Sequence, residues 1–130
     1  MFEPKEAFSG FSVDNLEKAE KFYAETLGVK VDKEEMGLSL HLPGTDTVVF
    51  VYDKPNHEPA PFTILNFVVE DIDTAIDELT KRGITFERYD DMPAEQDEKG
   101  VLRGLSHNMG PDIAWFKDPA GNVLALLQKS

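Results

Sequence analysis

The side chains able to do chemistry in this 130-residue chain are few and scattered. It has no cysteine, which removes thiolate metal sites, disulfides and a thiol nucleophile. Three histidines remain, His41, His57 and His107, and no two have the close spacing of a metal motif. His41 alternates with Leu38, Leu40 and Leu42, so it points away from their face and is a candidate for ligand contact or acid/base work. His57 sits among prolines and reads as a surface residue, while His107, in Ser106-His107-Asn108-Met109-Gly110, lies beside the last strands and is a candidate for a role at a pocket mouth. Carboxylates occur as adjacent pairs (Glu34-Glu35, Asp90-Asp91, Asp97-Glu98), which in turns are more often solvated charge than a general acid/base pair. No G-x-S-x-G elbow and no glycine-rich phosphate loop is present. Chemistry through a lone nucleophile finds no support.

The elements that must carry these residues come in two copies. Phe11, Val13, Asn15, Leu16 and Ala19 recur at an offset of 56 as Phe67, Val69, Asp71, Ile72 and Ala75. Leu27-Gly28-Val29 returns as Arg82-Gly83-Ile84, one residue early, so the second helix is shorter by one. A repeat of this length means two copies of one supersecondary unit, neither able to bury a core alone. The first reads as a strand over 7–13, a helix from Leu16 to Leu27 capped by Asp14 or Asn15, a Gly28 stop, and strands over 29–33, 38–42 and 48–52. Residues 53–61 hold three prolines and form the natural linker. The second copy gives a strand over 63–70, a helix over 72–82, a strand over 84–89, weak strand signal near 101–105, and strands over 113–117 and 123–127 around the turn Asp118-Pro119-Ala120-Gly121-Asn122. The expected fold class is α+β: two tandem βαβββ modules, about 7–52 and 63–128, whose uncovered faces curve around a shared cup. A doubly wound parallel sheet would instead alternate strands and helices throughout.

Composition bounds the partners. Twenty-five acidic against thirteen basic residues give a net charge of −12, the wrong sign for nucleic acid or an anionic membrane. That charge suits a cationic ligand weakly and ordinary solubility well. The longest apolar runs, 48–52 and 123–127, are strand-length and too short to span a bilayer. Residues 1–6 show neither a basic stretch nor an apolar core, so no secretory leader is expected and cytoplasm is the expected compartment.

Taken in order, Val13-Asp14-Asn15-Leu16, Phe22-Tyr23, Leu27-Gly28, the second copy Val69-Glu70-Asp71-Ile72 and the closing Asp118-Pro119-Ala120-Gly121-Asn122 resemble the vicinal oxygen chelate superfamily of glyoxalases, bleomycin-resistance proteins and extradiol dioxygenases. The likeness runs from about Ala7 to Gln128. It implies paired βαβββ modules, commonly completed as a homodimer, with metal ligands on the first and last strands of each module. Here those ligand positions fall on Phe8, Phe50, Ile64 and Ala125. None offers a lone pair to a divalent cation, so no metal and no other cofactor is expected, nor metal-dependent glyoxalase or dioxygenase activity.

With those four positions facing inward, alternation brings Gly10, Ser12, Val48, Tyr52, Asn66, Val68, Val123 and Leu127 to the same side, and Trp115 joins them. The expected ligand-binding residues are Phe8, His41, Phe50, Tyr52, Ile64, Asn66 and Trp115, an apolar, aromatic lining with a few polar groups. The plainer alternative is a cup filled by its own side chains. Residues 90–110, long and acidic, are expected to move over the pocket as a lid. The functional expectation is a metal-free small-molecule-binding protein that sequesters an aromatic or cationic compound. The alternative is an atypical metal-independent lyase- or isomerase-type enzyme.

Overall fold

A computed structural model of the chain describes residues 1–91 and 95–130. They divide into two compact units, Met1–Pro59 and Ala60–Ser130. The first contains β1 (Ser9–Val13), α1 (Leu16–Lys21), β2 (Lys30–Glu34), β3 (Gly37–His41) and β4 (Val48–Asp53). Its sheet runs β1-β4-β3-β2, with β1 parallel to β4 and the other pairs antiparallel. Period-two alternation turns Val13, Leu38, Leu40, Val49 and Val51 to one face, where they are buried, and Ala19 of α1 is buried with them. Asn15, rather than Asp14, is the helix cap: its side chain accepts from the Lys18 amide at 3.0 Å.

The first helix does not run regularly to Leu27. From Phe22 to Thr26 it widens into a π-helical turn, with the Leu27 amide donating to the Phe22 carbonyl at 2.9 Å. This turn holds the residue by which the first copy of the repeat exceeds the second. It also buries Tyr23 completely, edge-on to Phe22 at 5.1 Å and tilted against Phe11 of β1 at 5.9 Å. Gly28 then ends the helix at φ +75°, the left-handed position expected of it.

The second unit contains β5 (Thr63–Val68), α2 (Ile72–Lys81), β6 (Leu102–Arg103), β7 (Asp112–Lys117) and β8 (Val123–Gln128). Its order, β5-β8-β7-β6, is that of the first sheet, again with one parallel pair. Asp71 caps α2 through the Thr74 amide, and Ile72, Ile76 and Leu79 form its buried stripe. Ala114 and Phe116 are buried, as their parity predicts. The turn after β7 is locked by Asp118, whose carboxylate accepts from the Ala120 and Asn122 amides and from the Asn122 side chain.

The expected strand over residues 84–89 is not one. Among the described residues one sheet-like backbone bond reaches it, from the Glu87 amide to the Trp115 carbonyl at 2.8 Å. The Gln96 side chain supplies the rest, accepting from the Tyr89 amide and donating to the carbonyls of Glu87 and Gly100. A side chain thus satisfies backbone groups that a neighbouring strand would otherwise pair. No helix among the described residues is long and apolar enough to cross a membrane.

Candidate functional site

Register alone assembles the first unit's uncovered face. Gly10 pairs with Phe50, Phe50 with Ser39 and Ser39 with Asp32 in one row; Ser12, Tyr52, Gly37 and Glu34 form the next. His41 lies opposite Val48. Phe50 and Tyr52 stack at 6.3 Å with their planes 16° apart, and Phe8, just ahead of β1, is 62% exposed. Gly37 keeps the strands close, since a Cβ there would run into the Val51 carbonyl oxygen. The structure therefore brings Phe8, His41, Phe50 and Tyr52 to one face, as parity predicts.

Across this face lies a cavity of about 600 Å³. Phe8, Val48 and Phe50 line it together with Ser39. Glu34 at the end of β2, Glu35 and Met36 of the β2–β3 turn, and Glu6 and Asp46 from outside the strands complete its walls. Among the described residues that line it none is lysine or arginine, and the four carboxylates form no ion pair. Glu34 accepts from the Ser39 hydroxyl at 2.9 Å, which fixes one of them. Strand parity could reveal the floor and Glu34 but not the other walls, because turn and arm residues have no period.

His57 is the largest departure from expectation on this face. It is half-buried rather than a free surface residue, and its Nδ1 lies 2.6 Å from Ser12 Oγ, beside Tyr52. The linker folds back to put it there: the Lys54 amide donates to the Val13 carbonyl, and the His57 amide to the Lys54 carbonyl. No local spacing signals this, since the partners are 45 residues apart. His41 pairs through Nε2 with Asp32 at 2.6 Å, two strands' side chains meeting diagonally.

The second unit presents Asn66, Ala125 and Trp115 in one row. Ala125 is wholly buried, so it belongs to the packed interior and not to an accessible lining. A register shift between Thr63 and Leu65 takes Ile64 out of simple alternation. Thr63 instead accepts from the Trp115 indole N–H at 3.1 Å, which period-two counting does not foresee. Tyr89 packs edge-on to Trp115 at 5.7 Å, and burial, then the charge of Glu87, raises its phenol pKa. Asn66 is exposed, and Ile64 and Trp115 are half-buried.

The acidic stretch expected to act as a lid includes residues 92–94, which lie outside the described residues; its described part has firm anchors. Arg103 grips Asp73 with both Nη atoms (2.7 and 3.1 Å), Asp97 through Nε at 2.8 Å, and Asp112 at 3.4 Å. Lys99 adds contacts to Asp73 and Asp77, Leu105 donates its amide to Asp112, and Val101 is fully buried. Hydrogen bonds from Arg103 hold the Asp73 carboxyl below the usual carboxylate range. For Asp97 burial pushes upward, but bonds from the Val101 amide and Arg103 outweigh it and the net shift is down. His107 is exposed, its Nδ1 2.9 Å from the Arg103 carbonyl oxygen.

A metal of the kind the resemblance implies would need donors at Phe8, Phe50, Ile64 and Ala125, and these side chains are hydrocarbon. Among the described residues no three His, Asp or Glu side chains gather so as to hold an ion elsewhere. The donor set does not fit that group.

Known structures share this architecture. An antibiotic binding protein from Streptomyces sp. CB03234 is 26% identical, with 100% of this chain and 99% of that one covered at a TM-score of 0.68. A member of the glyoxalase/bleomycin resistance protein/dioxygenase superfamily from Sphaerobacter thermophilus is 27% identical, with 94% of each chain covered and a TM-score of 0.65. A protein described in the same terms from Alicyclobacillus acidocaldarius shares the fold at 17% identity, covering 99% and 95% at a TM-score of 0.69. Among curated proteins none matches. The model of the Glyoxalase/Bleomycin resistance protein/Dioxygenase superfamily matches residues 9–126, nearly the whole chain, and the chain belongs to that superfamily.

Proposed function

We propose that the protein binds a small aromatic or cationic molecule without a metal, on the uncovered face of its first sheet. One observation carries the reading: a cavity of about 600 Å³ combines an aromatic, apolar lining with four carboxylates and no basic residue. Phe8 and Phe50 supply the aromatic contacts, while Tyr52, stacked on Phe50, and His41 lie on the same face outside the cavity lining; the antibiotic binding protein among the similar structures supports sequestration as the role. Asn66, Ile64 and Trp115 present a surface of their own on the second sheet, and Trp115 emission reports whether it responds to ligand. The reading includes a cytoplasmic homodimer, for which exposed Phe2, Phe8 and Phe62 offer apolar surface. A thermal-shift screen of cationic antibiotics and small aromatic metabolites in EDTA tests it. Stabilisation by members of that set, lost in Phe50→Ala, is expected; a set that stabilises only after metal is added would contradict it.

The close Ser12–His57 and His41–Asp32 pairs favour a second reading, a metal-independent enzyme with proton transfer at His57 or His41. Product formation that survives EDTA and is lost in His57→Ala or His41→Ala separates it from binding alone.

A further inference from the structure

The carboxylates around the first-sheet cavity stand at its two ends, not in one cluster. Glu34 ends β2 and Glu35 opens the β2–β3 turn, and Glu34 is tied to Ser39, which pairs with Phe50. Glu6 and Asp46 lie toward the opposite end: each comes three residues before the parallel pair Ser9↔Val49, away from the Gly37↔Tyr52 pairing that adjoins Glu34. Phe8 and Val48 lie between these two acids and Phe50 in the lining. Both ends are anionic and the middle is hydrocarbon.

We infer that the groove takes an elongated dication: an aromatic or alkyl middle seated on Phe8, Val48 and Phe50, with one cationic group reaching Glu34 and Glu35 and the other reaching Glu6 and Asp46. This rests on the binding reading above and narrows its ligand class. A single cation of benzamidine size can engage only one end at a time. A polyamine with charge along its whole length would lay a hydrated ammonium on hydrocarbon, which costs solvation. A ligand charged only at its ends meets neither difficulty. The lack of any lysine or arginine in the lining leaves both acid pairs available for it.

Isothermal titration calorimetry on the full chain in EDTA at low salt tests this with three probes. They are a bisbenzamidine whose amidinium rings are joined by a pentyl diether chain, benzamidine itself, and the uncharged diphenoxypentane. The dication is expected to bind at least about tenfold more tightly than benzamidine, each end adding its own attraction. Glu34→Gln with Glu35→Gln, and separately Glu6→Gln with Asp46→Asn, should each cut dication affinity about tenfold and leave the neutral probe unchanged. Loss confined to one pair would overturn the two-ended arrangement. Equal binding of the dication and the neutral probe, abolished by Phe50→Ala, would remove the charge selection while the binding reading stands. Absence of binding by all three, or binding indifferent to Phe50→Ala, would overturn both.

Discussion

The two units follow the same strand order but use their acids in opposite ways. In the second, Asp73, Asp97 and Asp112 converge on Arg103, with Lys99 joining Asp73 to Asp77, so the negative charge ties helix, loop and β7 together. In the first, Glu6, Glu34, Glu35 and Asp46 surround a cavity with no basic residue among its lining. Charge paired with an arginine fork is structure; charge left facing an apolar cavity is available to a ligand. Duplication thus supplied two like frames, and side-chain chemistry separated their roles.

The sharpest way to break this comparison is Arg103→Ala. Three carboxylates lose their shared guanidinium, one of them on the buried Asp112, and stability should fall by about 2–3 kcal/mol, read as a drop in urea midpoint. Glu34→Gln with Glu35→Gln should shift the same midpoint by no more than about 0.5 kcal/mol. Comparable losses from both would erase the distinction.

Next in size is the binding effect. Phe50→Ala should weaken a bound aromatic ligand by about 1–3 kcal/mol if the ring is an anchor in a desolvated site. Tyr52→Ala, stacked behind it, should cost less.

How far the sequence foretold this follows from what each feature depends on. The repeat and alternation sufficed for the first sheet, for β5, β7 and β8 of the second, and for the face bearing Phe8, Phe50 and Tyr52, since those depend on local period. His57 against Ser12, Gln96 standing in for a strand over 84–89, and Thr63 replacing Ile64 beside Trp115 were not legible, because each depends on a contact over distance or on a bulge. The acidic segment near Arg103 looked like a lid because composition alone cannot show which arginine will gather which acids.

The pH response sharpens the comparison further. The folded pKa values of Asp73 and Asp97 lie below 3.8, so their stabilisation is complete above the unfolded value and is lost as pH falls through the folded ones. Acid unfolding below about pH 4 should therefore lose part of its slope in Arg103→Ala. An unchanged slope would show that these carboxylates are not coupled to Arg103. A smaller loss than that of Arg103→Ala is expected at the helix caps: Asp71→Ala and Asn15→Ala should each cost about 1 kcal/mol in thermal or urea unfolding.

Amide chemical-shift mapping of the full chain in EDTA, during titration with a cationic aromatic probe such as the bisbenzamidine, tests the central claim most directly. The account predicts shifts concentrated at Ser39, Val48, Phe50 and the neighbouring turn residues of the first sheet, and their loss in Phe50→Ala. Shifts concentrated instead around Asp77, Phe86 and Gly100 in the second unit's smaller cavity, or appearing only when a divalent metal is supplied, would contradict it.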